Sequence, residues 1–344
     1  MKAYRFVEWQ QAAELVDIPV PEPGPGEVLV KVAGAGACHS DLHIQEWPEG
    51  QLDWKLPFTM GHENAGWVHA FGAGVRNLEE GEPVAVYGHW GCGRCRSCRQ
   101  GIETYCLRQA EVGYSGGGLG ADGGMAEYLL VPSDRFLVPL GELDPVQAAP
   151  MTDAALTPYH AVKRSLSKLI PGSTAVAIGV GGLGHMGVQI LKALSPARVI
   201  AVDLAEDKLR LARDVGADET VISDEAAAER ILDLTGGLGA EVVLDFVGAD
   251  ATMALGARVS RSLGDLAVVG IAGGTLPFSF FSQAYEVNVA TTYWGSIPEL
   301  MEVLDLVRTG AIHAEIERFP LEQVEEAYRR MRAGDIQGRA VIIP

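Results

Sequence analysis

Positive charge is scarce in this chain: 27 lysines and arginines face 45 aspartates and glutamates, a formal charge of −18 over 344 residues. Such a surface repels phosphate backbones and anionic bilayers, so neither nucleic acid nor membrane is an expected partner. Long hydrophobic runs are also missing. No stretch approaches the roughly 18 successive apolar residues of a membrane helix, and runs such as Val176–Val180 are short and border glycine. The opening MKAYRFVEWQ has neither an apolar core nor a small-residue cleavage site. That excludes a secretory signal there and makes a cytoplasmic location the expectation. Cysteine is limited to Cys38, Cys92, Cys95, Cys98 and Cys106, and an odd count in a reducing compartment points to metal rather than disulfides. No internal repeat and no low-complexity segment is found.

What is present points to two domains, because 344 residues exceed what one core usually organises. Up to about residue 150 the chain reads as short strands broken by glycine and proline, among them Glu27–Val32, Gly66–Ala70, Pro83–Tyr87 and Ala126–Val131. The alternate prolines Pro19, Pro21, Pro23 and Pro25 mark an extended leading segment. After Ala148 strand-like and helix-like runs alternate: Thr174–Gly179, Gly184–Leu194, Arg198–Val202, Asp207–Val215, Val242–Phe246 and Leu266–Gly270. Alternation of this kind predicts βαβ units and a parallel sheet. From about Tyr293 short mixed elements return, ending in the strand-like Arg339–Ile343. The expectation is an α/β protein with one domain inserted into another, with boundaries at 1–154, 155–293 and 294–344.

Gly179-Val180-Gly181-Gly182-Leu183-Gly184 follows the apolar strand Ala175–Ile178 and opens an amphipathic helix. The first glycine permits the turn, Gly181 lets backbone approach a pyrophosphate, and Gly184 lets helix and strand pack closely. The helix N-terminus then offers N–H groups to the phosphates. The motif alone is weak, but a second strand ends at Asp203, where a carboxylate can bind both adenosine ribose hydroxyls. Leu204 follows, not an arginine that would welcome a 2′-phosphate, so NAD is favoured over NADP.

Two metal signatures remain. Cys92, Cys95, Cys98 and Cys106 provide four thiolates in one loop, enough for a closed tetrahedral zinc site. An iron–sulfur cluster shares the first spacings, but the last gap is long and no proline follows. A nucleic-acid zinc ribbon is opposed by the net charge. The second signature is Cys38-His39-Ser40-Asp41-Leu42-His43 with Gly61-His62-Glu63. Cys38 and His62 supply two of about three protein ligands that an open, catalytic zinc needs. Spacing does not choose the third, because carboxylates are plentiful.

Together these motifs resemble the medium-chain zinc-dependent alcohol dehydrogenase family nearly end to end. The forms Trp90-Gly91-Cys92 and Tyr293-Trp294-Gly295 are most similar to its bacterial secondary-alcohol branch. The resemblance implies a GroES-like β-rich catalytic domain around an inserted Rossmann domain, two zinc ions per chain, and NAD. It implies Asp153 as the third catalytic ligand beside Cys38 and His62. It makes Ser40 and His43 a proton relay, Glu63 a carboxylate that can transiently reach the metal, and Asp41 the group that orients His62. It assigns Thr157 to the nicotinamide, Lys208 to the adenosine ribose, and His39 and Arg339 to the pyrophosphate. It gathers Trp54, Leu119, Phe281, Tyr293 and Trp294 around the substrate, with Trp47 near. His69, His89, His160, His185 and His313 are left as structural or surface residues. The activity implied is interconversion of alcohols, apolar secondary or aryl-alkyl ones above all, with ketones or aldehydes, by a homo-oligomer, a tetramer or a dimer. A polyol dehydrogenase on the same scaffold and a non-catalytic NAD-binding protein are the alternatives.

Overall fold

The computed structural model describes all 344 residues, and they divide into two units. The first comprises Met1–Leu156, Gly295–Arg308 and Ala314–Pro344; the second comprises Thr157–Trp294 and Thr309–His313. No helix is long and apolar enough to cross a membrane.

In the first unit, strands β1 (Val28–Gly36), β2 (Glu63–Phe71), β3 (Pro83–Val86), β4 (Tyr128–Val131) and β5 (Leu137–Pro139) form most of a mixed sheet. Helix α1 (His39–Glu46) leaves the end of β1 directly. The antiparallel register of β1 and β2 sets Gly36 opposite Glu63, so Cys38 and His62 come out of neighbouring strand ends. Gly36 has to be glycine: a Cβ there would lie 1.9 Å from Glu63 Oε2.

The second unit is a six-stranded parallel sheet built from β6 (Thr174–Ile178), β7 (Arg198–Asp203), β8 (Glu219–Ile222), β9 (Ala240–Asp245), β10 (Ser260–Val268) and β11 (Asn288–Thr291). Its order is β8-β7-β6-β9-β10-β11, a doubly wound sheet whose strand order reverses at β6 and β9. Helices α2 (Gly184–Leu194) and α3 (Glu206–Asp214) belong to the first crossovers. β6 is buried at all five positions, as a central parallel strand covered on both faces should be. Val176, Ile178, Ile200, Val202, Val243 and Leu266 form its core. Thr309–His313 joins this unit because the Gln189 amide holds the His313 backbone at both N–H and C=O, at 3.0 and 2.9 Å.

The chain returns to the first unit through α4 (Ile297–Arg308), β12 (Ile316–Pro320), α5 (Val324–Arg332) and β13 (Arg339–Ile343). The completed sheet runs β5-β3-β2-β1-β13-β12, with β4 also on β1. β13 pairs Val341 with Gly36, so Arg339, two residues back on the same face, is delivered to Glu63.

Candidate active site and metal centres

Cys38, His62, Glu63 and Asp153 are all buried and offer one ligand atom each, with these atoms within 4.8 Å of one another. His62 Nε2 is 3.6 Å from Asp153 Oδ2, and Cys38 Sγ is 3.9 Å from the same oxygen. A tetrahedral ion with bonds of about 2.0–2.3 Å holds its ligands roughly 3.3–3.8 Å apart, so the His62 and Asp153 donors are spaced as ligands of one zinc and the Cys38 sulfur lies just beyond that spacing.

Behind them the Asp41 carboxylate faces both strand ends. Its Oδ2 accepts the Cys38 N–H at 2.8 Å, and its Oδ1 is 3.1 Å from His62 Nδ1. That contact leaves Nε2 for the metal, the arrangement a ligating histidine needs. Glu63 is held by Arg339, whose Nε donates to Oε2 at 3.0 Å. Burial pushes the Glu63 carboxyl up to about 7 although the Arg339 charge opposes it. Ser40 Oγ stands 3.4 Å from Cys38 Sγ. Ser40 and His43 are half-buried on α1, and His39 is exposed at its first turn.

The second cluster lies in one loop. Cys92, Cys95, Cys98 and Cys106 also gather within 4.8 Å. Cys98 Sγ is 3.4 Å from Cys95 Sγ and 4.0 Å from Cys92 Sγ, bracketing the roughly 3.8 Å of a tetrahedral zinc–thiolate set. Backbone N–H groups converge on the sulfurs, as thiolates require. Cys106 Sγ accepts from Cys92 and Arg108, and the Cys98 N–H draws the Cys95 thiol down to about 6 against burial. Burial raises Cys98 and Cys106.

At the dinucleotide loop the glycines separate by purpose. A Cβ on Gly179 would lie 2.5 Å from Val247, and one on Gly184 would lie 1.8 Å from the Gly179 carbonyl. Gly181 is different: a Cβ there meets nothing within 4 Å. Nothing in the protein demands its bareness, which suits a backbone kept clear for a pyrophosphate. Gly182 and Leu183 complete the turn into α2. Asp203, at the end of β7, accepts from Val180 N–H at 2.7 Å and Ala205 N–H at 3.1 Å. A carboxylate has about four acceptor sites, so two remain for ribose hydroxyls.

The comparisons agree with this chemistry. Residues 24–142 match the alcohol dehydrogenase GroES-like domain, and residues 182–309 match the zinc-binding dehydrogenase domain. An alcohol dehydrogenase of Geobacillus stearothermophilus is 35% identical over 99% of this chain and 98% of its own. A D-arabinose 1-dehydrogenase (NADP(+)) of Saccharolobus solfataricus is 32% identical over 100% of this chain and 97% of its own. An NAD-dependent alcohol dehydrogenase of Sulfurisphaera tokodaii is 34% identical over 100% of both. The chain belongs to the zinc-dependent alcohol dehydrogenase family. Among solved structures, the alcohol dehydrogenase of Aeropyrum pernix superposes with a TM-score of 0.93 at 36% identity, covering 100% of both chains. An acetophenone reductase of Geotrichum candidum, solved with NAD, gives 0.86 at 33%, covering 100% of this chain and 97% of its own.

The protein is thus an NAD-linked alcohol dehydrogenase whose residues fit two zinc ions. Its other expected site residues are scattered over both units. In the first, Trp54 stacks edge-on to Phe58 and packs against the backbone of Gly120, beside the buried Leu119. In the second, Tyr293 and Trp294 meet edge-on, and Thr157 and Lys208 are buried. Phe281 is 85% exposed and stacks only on Phe280. Two buried groups carry no site role in the sequence, His89 counting there as structural or surface. His89 is fully buried, feels the charges of Asp153 and His62, and is driven by burial down to about 3, so it stands as a neutral imidazole beside the cluster. Tyr328 on α5 is buried, with its hydroxyl 3.4 Å from Met125 Sδ. His89 borders Trp90-Gly91-Cys92, whereas Tyr328 has no motif around it and is placed by long-range packing.

Proposed function

We propose that the enzyme oxidises apolar secondary alcohols, aryl-alkyl ones included, and reduces the matching ketones. The observation that carries the reading is the thiol, imidazole and carboxylate gathered beside a serine hydroxyl. Cys38, His62 and Asp153 hold the catalytic zinc. Bound zinc supplies Lewis acidity toward the alcohol oxygen, and NAD supplies the redox chemistry. Ser40 takes the alcohol proton, and His43, three residues on and on the same face of α1, carries it to solvent. Asp41 holds the His62 tautomer, and Glu63 is the spare carboxylate beside the donor set. Gly181 and α2 receive the pyrophosphate with His39 and Arg339; Asp203 and Lys208 take the adenosine ribose, and Thr157 the nicotinamide.

Trp54, Leu119, Phe281, Tyr293 and Trp294 supply the apolar wall. Burying a phenyl or alkyl group against it contributes about 1.5–3 kcal/mol, while each stranded polyol hydroxyl costs about 1–3 kcal/mol. The likeness to an acetophenone reductase supports this preference over the sugar chemistry named for the Saccharolobus relative. The working form is a cytoplasmic homo-oligomer, a tetramer or a dimer. Its support is the unpaired edge of β11 with the exposed Phe278, Phe280 and Tyr285 nearby. The test is kcat/KM with NAD for 1-phenylethanol, 2-butanol, ethanol and sorbitol. 1-Phenylethanol should lead, and sorbitol in first place would overturn the substrate assignment.

A further inference from the structure

Four residues other than glycine have a positive φ: Gln10, Leu263, Glu286 and Trp294. The first three are exposed; Trp294, at φ 55°, is buried. A bulky residue in the left-handed region is strained and persists only where its surroundings fix the chain. The fixing comes one residue later. The Gly295 carbonyl lies 2.5 Å from the Tyr87 hydroxyl and 3.0 Å from that of Thr104, both donating to it. Tyr87 directly follows β3 and is wholly buried, and Thr104 belongs to the four-cysteine loop. Gly295 has no room to move aside, since a Cβ there would lie 2.6 Å from Leu156 Cδ1. The helix that follows is seated without these hydroxyls. The Gly101 carbonyl accepts the Ile297 N–H at 2.9 Å. Ser296 and Glu299 close a capping box at the start of α4, through Ser296 N–H to Glu299 Oε2 at 2.8 Å and Glu299 N–H to Ser296 Oγ at 3.3 Å. Phenylalanine and valine would fill the same space at positions 87 and 104, so the two hydroxyls need a separate reason.

We propose that Tyr87 and Thr104 are positioning residues for substrate selection, their hydroxyls clamping the Gly295 carbonyl and so keeping Trp294 in the strained backbone that presents its indole. This rests on the reading of Trp294 as part of the substrate wall. Without the hydroxyls the Gly295 peptide is free to rotate, Trp294 relaxes toward negative φ, and the indole leaves its place. A substrate carrying a phenyl group then loses a contact, whereas ethanol has little to lose. Cys38, His62 and Asp153 take no part in these contacts, so the chemistry at the metal should not change.

The experiment is steady-state kinetics with NAD on 1-phenylethanol and ethanol, together with zinc counts. It compares wild type, Tyr87→Phe, Thr104→Val, the double variant and Arg308→Ala. The double variant should raise KM for 1-phenylethanol about tenfold, equal to ~1.4 kcal/mol. Its kcat and both ethanol constants should stay within about twofold of wild type, the mark of lost binding rather than lost chemistry, and both zinc equivalents should remain. Thr104 is half-buried, so Thr104→Val gives a smaller shift of the same kind even where loss of the buried Tyr87 hydroxyl lowers the yield of folded protein. Arg308→Ala frees the far end of α4 from the Pro139 carbonyl, which Arg308 holds at 2.9 Å, and should leave both KM values alone. An unchanged KM for 1-phenylethanol in Thr104→Val and the double variant would overturn the proposal. So would a parallel loss of kcat on both alcohols, a lost zinc equivalent, or an equal shift from Arg308→Ala, each of which marks a merely structural role. A wild-type enzyme that favours ethanol over 1-phenylethanol would instead defeat the wall assignment itself, and the proposal with it.

Discussion

The four-cysteine loop and the Cys38 cluster collect donors for the same ion by opposite routes. One takes them from residues 92–106 of a single loop, with Cys92 and Cys95 half-exposed at its rim. The other joins Cys38 to Asp153, 115 residues away, and buries every donor. Yet both set a buried glutamate and an arginine beside the donors: Glu103 with Arg135, and Glu63 with Arg339. A local cluster depends on the ion to hold its own loop, so its metal contributes to folding. A cluster assembled by strand register exists because the fold already does, and its metal is available for chemistry.

The largest test of that contrast exchanges the two losses. Cys38→Ser should lower kcat/KM by at least about a thousandfold, ~4 kcal/mol of transition-state stabilisation, while one zinc stays bound and melting hardly moves. Cys95→Ser should lower folding stability by several kcal/mol, on the order expected for a structural zinc, while the folded fraction turns over near the wild-type rate. Zinc counts, calorimetry and steady-state kinetics on the two variants decide it. A Cys95→Ser enzyme that melts normally but has lost turnover would reverse the roles.

The two arginines give the next largest effect. In metal-free protein Arg339→Met should cost about 1–2 kcal/mol near pH 8, because the buried Glu63 carboxylate must then take up a proton or stand unpaired. Glu63 is already lifted from 4.5 to about 7 by burial with Arg339 opposing, and removing the arginine lifts it further. A group whose folded pKa lies above its unfolded value contributes fully below the unfolded value and loses that contribution as pH rises through the folded one. The penalty is therefore small at pH 5, sets in as pH passes about 7, and grows until pH exceeds the variant's own higher Glu63 pKa. Glu103 is raised by burial in the same direction, but Arg135 is 29% exposed where Arg339 is 4%. Water replaces part of what Arg135→Met removes, so that variant should lose less. Denaturant titrations at pH 5 and pH 8 measure both, and a larger penalty for Arg135→Met would break the distinction between an open loop and a closed core.

The contrast also explains what was legible in the amino-acid sequence. The four cysteines and the glycine loop are local, and Gly184–Leu194 and Arg339–Ile343 coincide with the helix and strand the structure contains. The fold class was readable for the same reason, since alternating strand and helix patterns are local too. The third ligand was not, because Asp153 ends the short helical turn Ala149–Thr152, 115 residues from Cys38, and only the family resemblance pointed to it. Arg339 was assigned to a phosphate by that resemblance alone; its ion pair with Glu63 follows from the pairing of Val341 with Gly36, which no spacing reveals. The Thr309–His313 segment was missed for the same reason, being held by Gln189, a partner far away in the chain.

The smallest effect concerns accessibility, and it distinguishes a rim from an interior. The Cys98 N–H, against the opposing effect of burial, pulls the Cys95 thiol from its usual 9.0 to about 6. Once zinc is stripped at neutral pH, Cys95 is therefore largely thiolate, the reactive form. Iodoacetamide should label it first, at a rate level above about pH 7 and falling about tenfold per pH unit below pH 6 as the thiol takes up its proton. Cys98, buried and raised, should be slower throughout, and Cys38, buried in the catalytic cluster, should stay unlabelled over the same interval. Arg135 ties one side of the loop from outside the metal, bonding the Cys98 carbonyl at 2.8 Å as well as Glu103, so the turn around Cys98 is held in part without the ion. Mass spectrometry of the labelled peptides reads each site separately. A Cys95 rate that climbs through pH 8–9 like that of an ordinary thiol would mean the N–H groups leave the sulfur when the ion does, and the loop would then owe its geometry to zinc alone.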